Sequence, residues 1–572
     1  MSFHQPWDIQ ALRKQTAVVN GIEAPTKVLR DAEFLNAYTK QWERGNIWIL
    51  DDRIVYVGER LPEVTDRTDI IDCSKLTAVP GYIEPHAHPF QLYNPYTLAK
   101  YAAGRGTTTL IADNLIFFLL LSDEASFSIM DQLDKLPTTY FWWCRYDAQT
   151  ALRQQPFSKE RLQKWLDHPL VVQGGELTSW PQVLRGDDEM LEWLRMTKAA
   201  GKPIEGHLPG ASEKTLTNMA LLGIDGDHEA LDGEEAWRRL RLGLATSLRY
   251  SSIRPDLPDI LQELLARGLT NFEHVFMTTD GSTPPFYEQG IVDRLIAIAL
   301  EQGVPALDAY LMATVNPARH YGLDHLIGTI APGRIAHINL LKSKAEPVPV
   351  SVLAKGQWVK RDGQVYFPDA PFSFQDVLGR FDLNWAFKSE MLEPDTSIGI
   401  EMVDAVITRP FDLVKEPHSD ELFFLTLADK DGKWKISTKL KGFADDVGGF
   451  VSSYSTTGDI IMIGKNKDDI RAAFDRMKEI GGGIVLVHSN QIIAEIQLSI
   501  SGTFSQASME MLIQEVKALN APLFDRGYRF RDPIYTLLFL SSIHLPYIRI
   551  TQQGIYDVMK RQVLAAPVPF KS

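Results

Sequence analysis

The chain has 572 residues, 45% hydrophobic and 23% charged, with a formal net charge of −14 at pH 7, which fits a globular protein with a sizeable core, either several domains or one large barrel with additions. The acidic balance argues against a general nucleic-acid-binding or membrane-surface role. Two cysteines, Cys73 and Cys144, offer neither a disulfide framework nor a thiolate zinc site.

The opening stretch MSFHQPWDIQALRKQ carries no apolar signal-peptide core, and residues 1–45 read as mixed and mostly helical. Apolar and polar residues then alternate around Asp51-Asp52 in NIWILDDRIVYVGE (46–59), the pattern of a β-hairpin. LTAVPGYIEPHAH (76–88) reads as a buried strand that ends in His86 and His88. Residues two apart in an extended strand point the same way, so both imidazoles can face one point, a geometry that suits a metal.

Seven more strand-like runs follow, at 107–113, 138–146, 170–176, 203–210, 223–230, 245–251 and 271–280, and helical segments separate most of them. Ser212 is the expected N-cap of one such helix. Strands alternating with helices over this span predict a (β/α)8 barrel, whose active site sits at the C-terminal ends of the strands. The first strand ends in His86 and His88, the fourth in Glu176, the fifth in His207, the sixth in His228 and the eighth in Asp280. Metal-competent side chains thus gather at one mouth. The aromatic run YFWWCRY (140–146) is assigned to a buried barrel strand.

Residues 337–367 read as further strands that pair with the N-terminal hairpin into a small β-sandwich flanking the barrel. Past the Pro-rich stretch 367–374, the segment 459–500 reads strand, helix, strand, turn, strand. The expected division is 1–78 (N-terminal segment and first part of the sandwich), 79–327 (barrel), 328–370 (second part of the sandwich) and 371–572 (C-terminal α+β domain). Gly481, Gly482 and Gly483 lack the Lys-Ser/Thr of a phosphate loop and read as a helix stop. The longest apolar runs, from Leu115 and Ile534, fall short of the ~20 residues that span a bilayer. A cytoplasmic protein is expected.

The ordered pieces PGYIEPHAH, GTTTLIAD, GELTSWPQVLRGDDEML, GKPIEGHLPG, GIDGDHEA and TTD, with MATVNPARHYGL and GTIAPGRIAHINLL, resemble the amidohydrolase superfamily and, within it, the bacterial adenine deaminases. EIGGGIVLVHSNQIIAEIQLSISG and DPIYTLLFLSSIHLPYIRIT resemble that family's C-terminal domain, so the resemblance covers most of the chain from about residue 25. It implies a centre of two divalent ions, Mn, Fe or Zn. His86 and His88 would hold one ion, His207 and His228 the other, and Glu176 would bridge them. Asp280 would bind metal and handle the proton of the attacking water. Glu205 and Glu229 are candidates for proton shuttle or substrate contact, against the plainer reading of carboxylates behind a ligand or at a helix start. The implied activity is hydrolytic deamination of adenine or a close aminopurine, with hydrolysis of another cyclic amide or amino-heterocycle, or a non-catalytic metal-bound binding protein, as the alternatives. The expected partner is a small purine-like substrate, with no nucleic acid and no membrane, and a homo-oligomer stays open. Three places depart from the family's pattern: Asn114 after IAD, Gly281 in place of a second aspartate, and SSYSTTGD (452–459), which lacks a histidine.

Overall fold

A computed structural model describes residues 8–153, 156–415 and 420–570. Eight parallel strands form one sheet in strict chain order: β1 (Tyr82–Ala87), β2 (Thr107–Ala112), β3 (Thr139–Cys144), β4 (Val171–Leu177), β5 (Ile204–Gly206), β6 (Gly226–Asp227), β7 (Ala245–Arg249) and β8 (Val275–Thr278). Every residue of these strands is buried, because helices cover the outside and side chains fill the inside. The connecting helices start where short polar side chains can take their first free N–H groups. Asp187 accepts from Met190 N, Ser212 from Thr215 N and Asp232 from Glu235 N.

The backbone ladder does not pass from β8 to β1, and side chains close the barrel there instead. Glu84 of β1, 1% exposed, accepts from Thr278 Oγ1 at 2.5 Å, Thr279 N at 2.9 Å and Thr279 Oγ1 at 2.8 Å. It also accepts from His86 N at 3.1 Å, so the seam is sewn where two functional side chains leave their strands.

The β segments before and after the barrel pair into a single nine-stranded sheet. Thr77–Pro80, immediately before β1, lies in it beside Lys27–Asn36 and Ile338–Leu341. The expected hairpin is present as Gln41–Leu50 and Arg53–Gly58. The mostly helical reading of residues 1–45 is corrected: among the described residues the helix is Ile9–Val19, and Lys27–Asn36 is a strand. A bulge between Leu29 and Ala32, with Asp31 at φ 54°, misled the pattern. The strand is buried at adjacent pairs, Val28 with Leu29 and Phe34 with Leu35, and so lacks the simple alternation of a strand with one covered face.

In the C-terminal part, Ile460–Gly464, the helix Lys467–Glu479, Gly483–His488 and Gln491–Gln497 appear as read, in a second nine-stranded sheet. Ile470, Phe474 and Met477 of the helix pack on Val451, Met462 and Val485 of that sheet. A three-stranded sheet, Ile548–Thr551, Gly554–Asp557 and Gln562–Ala565, follows the helix Pro533–Phe539. Among the described residues, no helix is long and apolar enough to cross a membrane.

Candidate metal centre and active site

The barrel mouth brings together every metal-competent residue singled out from the sequence. His86 ends β1 and His88 follows it, with ring centroids 5.2 Å apart over the indole of Trp143 from β3. Asp280, two residues past β8, holds a left-handed backbone (φ 53°) that Asp tolerates better than most residues. That turn sets its Oδ1 3.1 Å from His88 Nε2 and 3.8 Å from His86 Nε2. Glu176 of β4 reaches His207 Nδ1 at 2.5 Å and His228 Nε2 at 3.6 Å. Gly175 makes that approach feasible: at φ 90°, a Cβ there would lie 2.5 Å from Glu205 O.

Among the described residues, three overlapping groups place ligand atoms within 4.8 Å of one another: His86, His88 and Asp280; His86, Glu176 and His228; and His207, His228 and Glu229. The donor set fits divalent ions. Both ring nitrogens of His86, Nδ1 of His207 and Nε2 of His228 are buried with no hydrogen-bond partner, although carboxylate oxygens stand nearby. The 2.5 Å approach of His207 to Glu176 lacks hydrogen-bond alignment, as expected of two lone pairs directed at a common cation rather than at each other. Leaving such nitrogens dry costs ~1–3 kcal/mol each, which coordination would remove.

Residues around this centre hold the ligands in place. His88 Nδ1 lies 3.0 Å from Asp113 Oδ2, and His228 Nδ1 3.2 Å from Glu205 Oε1. Glu205 therefore sits behind His228, and burial pushes its carboxyl up to about 7. Glu229 does line the cavity. Burial would raise its pKa, but Arg249, His207 and Arg254 hold it at about 2. Arg249 donates to both Glu229 and Asp280, the latter at 2.8 Å, and Arg145 donates to Glu176 Oε2 at 2.7 Å. Burial opposes ionisation of Asp280, yet His88 and Arg249 keep its carboxyl well below the usual range. Behind the loops, Arg239 donates to Asp227 Oδ1 at 2.5 Å, while Asp227 accepts from Leu208 N and Glu229 N, which fixes the chain beside His207 and His228.

The sequence reading did not single out Glu84, Asp113, Arg145, Arg249, Arg254, Tyr535 or His544. Arg145 and Arg249 had a visible signal, since each sits at the C-terminal end of a barrel strand in a matching CRY or LRY triplet. Of the departures, Asn114 is fully buried with both amide atoms unpartnered, and Ser455 and Thr456 line the cavity. Gly281 has no room for a side chain: a Cβ there would lie 2.7 Å from Tyr535 Oη and 3.1 Å from His88 Cβ.

The cavity above the centre has a volume of about 1060 Å³. His88, Glu229 and Asp280 stand at its base, and Tyr454, Tyr535 and His544 of the C-terminal part form its roof. The His544 ring stands edge-on to His207, with centroids 5.4 Å apart. Burial, reinforced by His207, pushes its pKa down to about 3, so it faces the centre as a neutral imidazole.

Comparison with known proteins agrees with this arrangement. Residues 77–359 match the amidohydrolase family, and residues 403–562 match the adenine deaminase C-terminal domain. A "Putative adenine deaminase" of Halalkalibacterium halodurans is 54% identical over 98% of each chain. The "Putative adenine deaminase YerA" of Bacillus subtilis is 48% identical, again over 98% of each. The "Adenine deaminase" of Bacillus subtilis is 26% identical over 96% of this chain and 98% of its own. With both its barrel and its second domain matched, the chain belongs to the amidohydrolase family, among the members that carry an adenine deaminase C-terminal domain.

Proposed function

We propose that the chain hydrolyses the exocyclic amine of a 6-aminopurine, adenine or a close analogue, and that adenine and water become hypoxanthine and ammonia. The observation that carries this reading is the convergence of His86, His88, Glu176, His207, His228 and Asp280 at the base of one roofed cavity. The relatives named "Putative adenine deaminase", and the more distant "Adenine deaminase" of Bacillus subtilis, support the choice of substrate.

His86, His88 and Asp280 would hold one divalent ion and His207 and His228, with Glu229 beside them, the other, with Glu176 between the two. Histidine and carboxylate donors without thiolate suit Mn, Fe or Zn. When bound, such ions supply Lewis-acid charge that lowers the pKa of water toward neutrality. The remaining work falls to the chain. Arg145 and Gln149 hold one oxygen of Glu176, leaving the other to face His207 and His228. Asp280, ionised, takes a proton from the attacking water and delivers it to the purine or the departing amine, a role worth ~10²–10⁴-fold. Arg249 steadies that carboxylate and Glu229 together.

The test joins metal analysis of the purified full chain to a panel of aminopurines and pyrimidines, read by ammonia release and 6-oxopurine absorbance. Turnover of a 6-aminopurine with about two ions per chain is expected. Metal-loaded protein that releases ammonia from no member of the panel would refute the reading.

A further inference from the structure

The stretch from Asp532 to His544 belongs to the C-terminal part yet is fastened to the barrel mouth at both ends. Asp532 Oδ1 caps the helix Pro533–Phe539, accepting from Ile534 N and Tyr535 N, while its Oδ2 accepts from Thr283 Oγ1 at 2.5 Å in the loop after β8. At the other end, Ile543 N donates to Gln149 O at 2.8 Å, and Ser541 O accepts from Thr150 Oγ1 at 2.7 Å, both in the loop after β3. The stretch therefore spans the cavity as a strap, and Tyr535, Phe539 and His544 face into the cavity from it.

Tyr535 is 6% exposed, and its hydroxyl has no hydrogen-bond partner among the described residues. The ring is packed away while the residue lines the cavity, so its hydroxyl is the part placed to meet a ligand there. Its surroundings single it out further. The hydroxyl occupies the space that a side chain at Gly281 would need, next to Asp280, and Gln91 Nε2 lies 3.0 Å from that same point. Gln91 Oε1 is already taken by the Tyr454 hydroxyl. A polar corner is thus built beside the proposed proton carrier, and a purine edge, with ring-nitrogen acceptors and amine donors, complements it.

We propose that Tyr535 contacts the substrate and determines specificity: its hydroxyl hydrogen-bonds the purine edge beside Asp280, and Gly281 is the residue that lets it reach there. This rests on the 6-aminopurine reading. It is tested on the metal-loaded full chain by titration calorimetry with hypoxanthine and by steady-state kinetics. Tyr535→Phe removes one oxygen and should weaken hypoxanthine binding about 3- to 10-fold and raise KM similarly, the span of one lost hydrogen bond. Metal content and Tm should stay at wild-type values. Gly281→Ala, which forces the hydroxyl aside, should weaken binding in the wild type and cost less in the Tyr535→Phe background, because the obstructing oxygen is gone. Wild-type binding retained in Tyr535→Phe, or a fall in Tm with hypoxanthine affinity unchanged, would overturn this proposal alone. Failure of the wild type to bind any purine would overturn it together with the proposed function.

Discussion

Replacing Asp280 with asparagine tests the heart of the mechanism, because the structure gives its two oxygens different tasks. Oδ1 lies 3.1 Å from His88 Nε2 and 3.8 Å from His86 Nε2, and Oδ2 accepts from Arg249 Nη1 at 2.8 Å. An amide cannot serve both sides. With its NH2 toward Arg249, two donors face each other; turned inward, a donor occupies the place where lone pairs are needed for an ion. In either orientation the neutral side chain can no longer take a proton from water. The expected loss in kcat/KM is ~10²–10⁴-fold, or about 3–5 kcal/mol in the barrier. Metal should be retained in part, because His86, His88, Glu176, His207 and His228 remain. The assay is 6-oxopurine formation followed by absorbance, normalised to the metal content of each preparation. Turnover within about threefold of the wild type at equal metal loading would refute the assignment, since general acid–base catalysis is worth far more than that.

Three other perturbations separate the roles of the carboxylates. Glu176→Gln keeps the shape but removes the charge between the two ion positions, and elemental analysis should show occupancy falling toward one ion per chain; two fully bound ions would count against a bridging role. Glu205→Gln weakens the acceptor behind His228 Nδ1 and should lower metal affinity or activity by about 10-fold, as supporting residues of metal ligands typically do, measured by competition with a chelator. Asp459, 2% exposed, has its carboxyl pushed up to about 6, chiefly by burial, against an ordinary value of 3.8. A folded pKa above the unfolded one gives stability that is full below pH ~4 and lost as pH rises through ~6, at a cost of about 3 kcal/mol near neutrality. Asp459→Asn can still accept from Thr457 and Gln552, so it should raise Tm at pH 7–8 and leave it nearly unchanged at pH 4; thermal scans across that range decide it.

The clustering of the candidate ligands was legible because the constraint that places them is local. Each of His86, Glu176, His207, His228 and Asp280 lies at or just past the end of its own strand, and the barrel's strict chain order carries those ends to one mouth. Sequence period and strand count suffice for that step. The strand at Lys27–Asn36 was not legible for an equally local reason, because its bulge and its burial at adjacent residues erase the two-residue period.

What escaped the reading depends on pairs far apart in the chain. Glu84 became the seam of the barrel only once β8 lay against β1, and nothing about a glutamate two residues before a histidine marks it as the acceptor for Thr278 and Thr279. The roof is the stronger case. Gly281, seen in the sequence, was only a departure from the family's pattern, a glycine in place of a second aspartate. In the structure, the space beside Gly281 is filled by Tyr535, whose hydroxyl would lie 2.7 Å from any Cβ there. The glycine in the barrel and the tyrosine of the C-terminal part thus make one contact, divided between residues about 250 positions apart. On the proposed reading, substrate choice depends on how the barrel and the C-terminal part meet, whereas the candidate metal-binding side chains all come from the barrel. Exchanging the barrel's ligands should abolish chemistry on every purine, while changes at the Gly281–Tyr535 contact should alter which purine is accepted and leave the ions in place.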